Sequence, residues 1–299
     1  MAEIKIQPGE TRIGWIGTGV MGASMCGHLI DKGFTATVYN RSKEKAAGLL
    51  EKGAAWADSP RGVADNSDVI FSIVGFPSDV RSVLLGEDGA LGGCQSGNVL
   101  VDMTTSEPSL AIEIYEAAKA IGVGSVDAPV SGGIAGAAAA TIALMFAGSK
   151  EHFVGLSYVL NTMSKNLFYV GTEPGQAQAM KLLNNYLSGL ALTATSEAIS
   201  FGLTQGLEMS TMLDVLNASS GQNTATSDKF PNRVLTESYD AEFLNSLYLK
   251  DISLYVDNVS VSGTSDTIAT ALLPIWHRFV GTEPDADFTK IFPFIRDKR

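Results

Sequence analysis

The sequence predicts an α/β fold: a doubly wound, mostly parallel sheet in the first part of the chain, then an all-α second part, the two joined by one long helix. Three observations carry this. Short apolar, β-branched runs alternate with helical patterns as far as residue 170. The first of these runs leads directly into Gly17-Thr-Gly19-Val20-Met21-Gly22. From Pro174 onward the strand signals stop and helical patterns follow one another, as expected when strands and helices segregate into separate domains. The boundary is expected near residues 171–175, giving domains 1–173 and 174–299 in a chain of 299 residues.

Composition excludes several classes of function. Hydrophobic residues at 45% and charged residues at 18% describe a globular chain rather than a disordered one. A net charge of −11 without a basic cluster argues against nucleic acid as a partner, though not against a small anion held by a few local donors. Cys26 and Cys94 form no CxxC, and His28, His152 and His277 are scattered, so neither a disulfide framework nor a metal site is expected. The first residues lack the basic-then-apolar pattern of a secretory signal, and no apolar run approaches the roughly 18 residues of a membrane span. A cytoplasmic protein without a membrane partner is expected.

In the first part, residues 11–17 read as a strand, residues 20–32 as a helix stopped by Gly33, and residues 34–39 as a buried parallel strand. Strand, Gly-x-Gly-x-x-Gly, helix, strand is the context of a dinucleotide fingerprint. Gly17 permits the tight turn, Gly19 lets backbone N–H groups approach a pyrophosphate beside Val20 and Met21, and Gly22 lets helix and strand pack closely. A purely structural glycine turn is the bland alternative. The end of the second strand bears on the cofactor. An acidic residue there would hold the ribose hydroxyls of NAD, but this chain has Asn40-Arg41-Ser42. Removing the carboxylate and adding Arg41 favours a 2′-phosphate, so NADP is expected ahead of NAD. Alternatively, Arg41 lies over the adenine while Asn40 takes the ribose hydroxyls.

Strands at residues 68–74 and 98–103 follow, the first leading into a helix over residues 77–85 begun by Pro77. Because the carboxyl ends of such strands face the binding crevice, Val74, Thr104 and Thr105 are candidates for the nicotinamide and ribose side; helix capping by Thr105-Ser106 is the alternative. A strand at residues 124–128 runs into Pro129-Val-Ser131-Gly132-Gly133, where a hydroxyl and flexible amides could cradle a carboxylate or merely turn the chain. A short helix at residues 135–140 and strands at residues 141–147 and 166–170 complete this part.

The joining helix is expected from Gly175 to about residue 206. Lys181 and Asn185 share one of its faces, while Met180, Leu183, Leu187 and Leu190 form an apolar stripe. The bland reading is that Lys181 snorkels from the stripe and Asn185 caps a neighbouring backbone group. Further helices are expected near residues 210–218, 228–235, 243–263, 266–280 and 284–295, with Lys250-Asp251 a motif or a solvated pair.

Together these motifs resemble the β-hydroxyacid dehydrogenase family, which includes 3-hydroxyisobutyrate dehydrogenases and tartronate and glyoxylate/succinic semialdehyde reductases. The likeness spans nearly the whole chain. It rests on the glycine fingerprint, on Asp127-Ala-Pro-Val-Ser131-Gly132-Gly133, on Gly175-x5-Lys181-x3-Asn185, and on Lys250-Asp251. The resemblance implies a Rossmann domain followed by a helical substrate and oligomerisation domain, a small carboxylate-bearing substrate, and a homodimer or homotetramer. It makes Lys181 the general acid/base, Asn185 a catalytic and substrate-positioning residue, Ser131, Gly132 and Gly133 the carboxylate loop, and Lys250 a neighbour of the nicotinamide. A desolvated lysine suits such proton transfer, because burial disfavours its charged form.

The chain departs from the family at Ile134 and Ala135, at Ala140 where glycine is expected, and around Phe230, Phe243, Asn245 and Leu247, which should close the substrate pocket. These changes bear on the substrate, not on the reaction class. The 6-phosphogluconate branch carries a histidine where Asn184 stands, so decarboxylation of a sugar phosphate is not expected, and imine reductases replace the lysine that Lys181 preserves. The resulting expectation is an NAD(P)-dependent oxidoreductase interconverting a small 3-hydroxy acid and its semialdehyde. Serine or a sulfonated aldehyde is the alternative substrate, and a non-catalytic NADP-binding or redox-sensing protein the alternative class.

Overall fold

The computed structural model describes residues 6–298, which divide into two compact units, one up to Lys181 and one from Leu182 on. The division falls inside the long helix, eight residues beyond the 173/174 boundary expected from sequence. A drop in strand signal marks where helix begins, whereas the unit boundary is set by which residues pack on which core.

The first unit is built on a nine-stranded sheet. Its strands are β1 (Arg12–Ile16), β2 (Thr35–Tyr39), β3 (Ala55–Trp56), β4 (Val69–Ser72), β5 (Val99–Asp102), β6 (Gly124–Asp127), β7 (Val130–Ser131), β8 (Ile142–Ala147) and β9 (Ser164–Gly171). The order β3-β2-β1-β4-β5-β6 is parallel throughout, and it reverses direction of growth between β1 and β4, the topological switch point of a doubly wound sheet. β8 then pairs antiparallel with β6 and β7, and β9 runs parallel to β8. Helices α1 (Val20–Asp31), α2 (Ala47–Glu51), α3 (Pro60–Asp65), α4 (Pro77–Leu85), α5 (Pro108–Lys119), α6 (Gly133–Ala138) and α7 (Lys150–Met163) make the connections. The central strands are buried on both faces. Ile13, Trp15, Val69, Phe71, Val99 and Val101 fill one cluster, and Ile16, Ile70 and Leu100 fill another. The sequence reading omitted α2, α3, α7 and the short β3 and β7, whose periodicity is broken by glycines or spans only two residues.

Helix α8 (Gln176–Thr204) runs through the unit boundary. The second unit continues with α9 (Met209–Asn217), a π-type segment (Ala225–Val234), α10 (Asn245–Ser262), α11 (Thr267–Thr282) and α12 (Ile291–Arg296). The π-type turns replace an expected α-helix because Pro231 lacks an N–H and its ring crowds the preceding turn; Leu235 N–H instead reaches Phe230 O at 2.8 Å. The core here centres on Trp276, Tyr248, Phe279 and Phe292, with Trp276 Nε1 donating to Thr193 Oγ1 at 3.1 Å. No helix among the described residues is long and apolar enough to cross a membrane.

At the crevice end of the sheet, Asp102 lies in register between Ser72 and Asp127. Its Oδ1 accepts from Ser72 Oγ at 2.9 Å and Thr104 N at 3.2 Å. Burial pushes its carboxyl up to about 6, against the pull of those donors, with the neighbouring Asp127 adding to the rise. Because the folded form holds this proton more tightly than the unfolded chain, the folded state loses stability as pH rises from about 4 to 6. Asp102→Asn is therefore expected to flatten that slope. It should also raise stability above pH 7 by about 1–3 kcal/mol, checked by chemical denaturation across pH. An unchanged slope would show that Asp102 is not the group that titrates.

Candidate active site

The fingerprint turn leaves β1 at Gly17, whose φ of +97° lies in the left-handed region. A Cβ there would sit 2.0 Å from the Ile73 carbonyl oxygen, and one at Gly22 would sit 2.0 Å from the Gly17 carbonyl oxygen. Both positions require glycine because two backbones meet there. Gly19 differs: it is exposed, and a Cβ would meet nothing within 4 Å. As N-cap of α1 it offers no side-chain acceptor to the helix, and no acidic residue lies in the first turn. Val20 beside it is 61% exposed, and Met21 is half-buried against the core. The buried Thr18 Oγ1 finds no hydrogen-bond partner among the described residues. Uncapped N–H groups at a helix start, beside an open glycine, suit a pyrophosphate.

At the end of β2 the Asn40 side chain is already engaged. Its Oδ1 accepts from Thr18 N at 3.1 Å and its Nδ2 donates to Ser42 O at 3.0 Å, tying the fingerprint turn to the loop after β2. The Arg41 side chain is 89% exposed, with only a loose ion pair to Asp79 at 3.7 Å. On the opposite side of the switch point, Val74 N donates to Thr104 Oγ1 at 3.0 Å, joining the turns that follow β4 and β5. Thr104 is buried and Thr105 half-buried. The N-cap position of α5, which begins at Pro108, is Glu107 rather than Thr105 or Ser106. Ser106 N instead donates to Gln178 Oε1 at 2.8 Å.

Ser131 ends β7, and the exposed Gly132 and Gly133 follow with φ of +134° and +64°. A Cβ at Gly133 would meet nothing within 4 Å, so backbone N–H groups there are open to approach. Ala140 adopts φ +54°, so the position where glycine is expected keeps the glycine-type backbone and carries alanine at a cost of roughly 1–2 kcal/mol.

Helix α8 overturns the expected amphipathic arrangement. Lys181 is 7% exposed and Asn185 9%, whereas Met180, Leu183 and Leu187 are 38%, 42% and 54% exposed. Snorkelling is therefore not the lysine's state: Lys181 and Asn185 are buried, as is Leu182, while three members of the expected stripe are exposed and the fourth, Leu190, is half-buried against the second unit's core. In the second unit Asn185 Nδ2 donates to Asp251 Oδ2 at 2.6 Å, and Lys250 Nζ lies 3.1 Å from Asp251 Oδ1. Lys250 and Asp251 are nearly buried, so this is no solvated pair. Asp251 thus gathers two expected site residues that lie 65 positions apart in sequence. Sequence reasoning gave it no role, although its adjacency to Lys250 was the available clue. Phe230 and Asn245 are fully buried: Phe230 packs against Phe292, and Asn245 Nδ2 donates to Glu283 O at 2.8 Å. Phe243 stacks edge-on to Phe288.

Within the first unit the structure thus links Thr18, Asn40 and Ser42 on one side of the switch point, and Val74 and Thr104 on the other.

Comparison with known proteins identifies the family. Residues 12–171 match the family described as the NAD binding domain of 6-phosphogluconate dehydrogenase, and residues 175–295 that described as NAD-binding of NADP-dependent 3-hydroxyisobutyrate dehydrogenase. The chain is 42% identical over 259 residues to a probable 3-hydroxyisobutyrate dehydrogenase-like 1, mitochondrial, of Arabidopsis thaliana, covering 86% of this chain and 77% of the relative. It is 31% identical to 3-hydroxyisobutyrate dehydrogenase of Pseudomonas aeruginosa, covering 96% and 99%. The solved structure of Mycobacterium tuberculosis 3-hydroxyisobutyrate dehydrogenase with L-serine superposes with a TM-score of 0.89 at 26% identity, covering 96% and 99%. Imine reductases such as that of Streptomyces aurantiacus share the fold alone, at 19% identity and a TM-score of 0.64. A Gly-x-Gly-x-x-Gly turn at the switch point of a doubly wound sheet, a helical second unit and these relatives lead to one assignment: the chain belongs to the β-hydroxyacid dehydrogenase family of NAD(P)-dependent oxidoreductases acting on CH–OH groups.

Proposed function

We propose that the protein is an NADP-preferring dehydrogenase/reductase that interconverts a small 3-hydroxy acid and its semialdehyde, with Lys181 as general acid/base. The observation that carries the reading is Lys181 itself, a lysine 7% exposed on the inward face of α8 within the family's Gly175-x5-Lys181-x3-Asn185 motif. The bound dinucleotide supplies or accepts the hydride. In reduction the Lys181 ammonium gives a proton to the substrate oxygen as the carbonyl carbon takes the hydride; in oxidation the neutral amine removes the hydroxyl proton. Asn185 holds the substrate, oriented by its hydrogen bond to Asp251. The Ser131 hydroxyl and the Gly132 and Gly133 amides take the carboxylate, and Lys250 serves the nicotinamide side.

On this reading residues 1–173 bind the dinucleotide and residues 174–299 serve substrate binding and oligomerisation. A 3-hydroxyisobutyrate, glyoxylate/succinic semialdehyde or tartronate semialdehyde type of substrate fits the chemistry. Serine is a second candidate, since L-serine accompanies the related Mycobacterium tuberculosis enzyme in its structure.

NADP is favoured because Arg41 is exposed where a 2′-phosphate would lie, held by no more than a loose ion pair to Asp79, and no acidic residue ends β2. The Asn40 amide is committed to Thr18 and Ser42, which disfavours the alternative in which it takes the ribose hydroxyls. The exposed stripe of Met180, Leu183 and Leu187, continued by Phe201 at 68% exposure, supports a homodimer or homotetramer that covers it.

Lys181→Ala is expected to lower kcat by about 10²–10⁴-fold on any accepted substrate while NADPH binding, followed by fluorescence, persists. Near-full turnover would sink the acid/base role. The wild type should show higher kcat/KM with NADPH than with NADH across a panel of aldehyde acids and hydroxy acids. Arg41→Ala should lower the NADPH value about tenfold and the NADH value little, as expected for one lost charge-assisted contact; a wild-type preference for NADH contradicts the reading. Leu187→Glu with Phe201→Glu should reduce the mass seen by light scattering from oligomer to monomer.

A further inference from the structure

The start of α8 is held by two side chains that the proposed chemistry does not use. Asp127, at the end of β6, is 2% exposed. Its Oδ1 accepts from Gly175 N and its Oδ2 from Ala177 N and Gln178 N, each at 3.0 Å. Three of the backbone donors that a helix start leaves unsatisfied therefore converge on one carboxylate 48 residues or more away in sequence. Helix N-termini favour such a negative charge. Burial nevertheless pushes the Asp127 carboxyl up, opposed by those same N–H groups.

Gln178, fully buried, makes the second attachment. Its Oε1 accepts from Ser106 N and its Nε2 donates to Thr104 O, both at 2.8 Å. Both partners lie in the loop after β5, whose Thr104 hydroxyl in turn receives Val74 N. Gly175 brings the backbones together here: a Cβ on it would lie 2.7 Å from the Pro108 carbonyl oxygen. Lys181 follows Gln178 by three residues, on the same face of the helix. Any rotation or slide of this first turn would carry Lys181 with it.

We propose that Asp127 and Gln178 are positioning residues for Lys181: the carboxylate fixes the first turn of α8 and the amide locks that turn to the nicotinamide-side loop 104–106. The inference rests on Lys181 being the general acid/base. It assigns the aspartate of the Asp127–Gly133 motif to the helix rather than to the substrate, and it makes the register between proton donor and cofactor loop a property of two side chains.

Gln178→Met keeps the volume and helix propensity while removing both bonds, and Asp127→Asn keeps the shape while weakening the triple acceptance. Each variant, shown folded by circular dichroism, is expected to lose at least tenfold in kcat with substrate KM changed less than threefold. In a Lys181→Ala background Gln178→Met should change the residual kcat less than twofold, because the group it positions is gone. Reaction of Lys181 with trinitrobenzenesulfonate, read by peptide mass spectrometry, should quicken at least threefold in either variant. Wild-type kcat with unchanged lysine labelling in a folded variant overturns the inference, as does an undiminished effect of Gln178→Met without Lys181. If Lys181→Ala instead keeps full turnover, the acid/base reading fails. If no substrate is turned over, the enzymatic reading fails, and the labelling rates alone still decide whether the two side chains hold the lysine.

Discussion

Three backbone N–H groups at the head of helix α8, the helix that carries Lys181, meet the buried carboxylate of Asp127. An uncapped helix start buried against a sheet would leave costly unpaired donors. Here β6 ends on an acid at the required place, and β5 contributes the loop that receives Gln178. The same strand ends carry Ser72, Asp102 and Thr104, so the crevice end of the sheet is a polar lattice of side chains bonded to neighbouring turns.

Helix α8 also departs in its first turns from what periodicity predicts. Its sequence contains two interleaved stripes, one apolar and one with Gln178, Lys181 and Asn185. Hydrophobic patterning ordinarily sends the apolar stripe inward. Here the polar stripe is the buried one, and each of its members has a polar neighbour or a proposed role to offset desolvation: Gln178 two loop groups, Asn185 the Asp251 carboxylate. The reversal is confined to the first turns, for Leu192 and Ile199 further along α8 are buried in the second unit's core.

Much of this was legible in the sequence. The strand–glycine–helix–strand opening fell within a residue or two of β1, α1 and β2, and Pro77 marked the start of α4 without error. Gly17 and Gly22 were readable because two backbones meet there, and Gly132-Gly133 because a turn at positive φ favours glycine. What could not be read is what depends on tertiary partners. The two-residue strands β3 and β7 have no period to detect, and the π-type segment looks helical until Pro231 is placed in three dimensions. Likewise Asp127 and Asp251 stand in motifs the sequence displays, but that the one receives the head of α8 and the other joins Asn185 to Lys250 depends on partners 48 or more residues away.

The unit boundary between Lys181 and Leu182 falls within an unbroken run of helix, Gln176–Thr204, not in a flexible connector. A scissile or permissive linker is therefore missing at the place where one would cut the chain. Gene truncation at this point would leave a helical stump of six residues on one piece and strip the other of its first turn, below the length at which an isolated helix holds itself together. Domain exchange with relatives would accordingly have to carry the helix whole, and the splice sites that respect it are the turns before Gln176 and after Thr204.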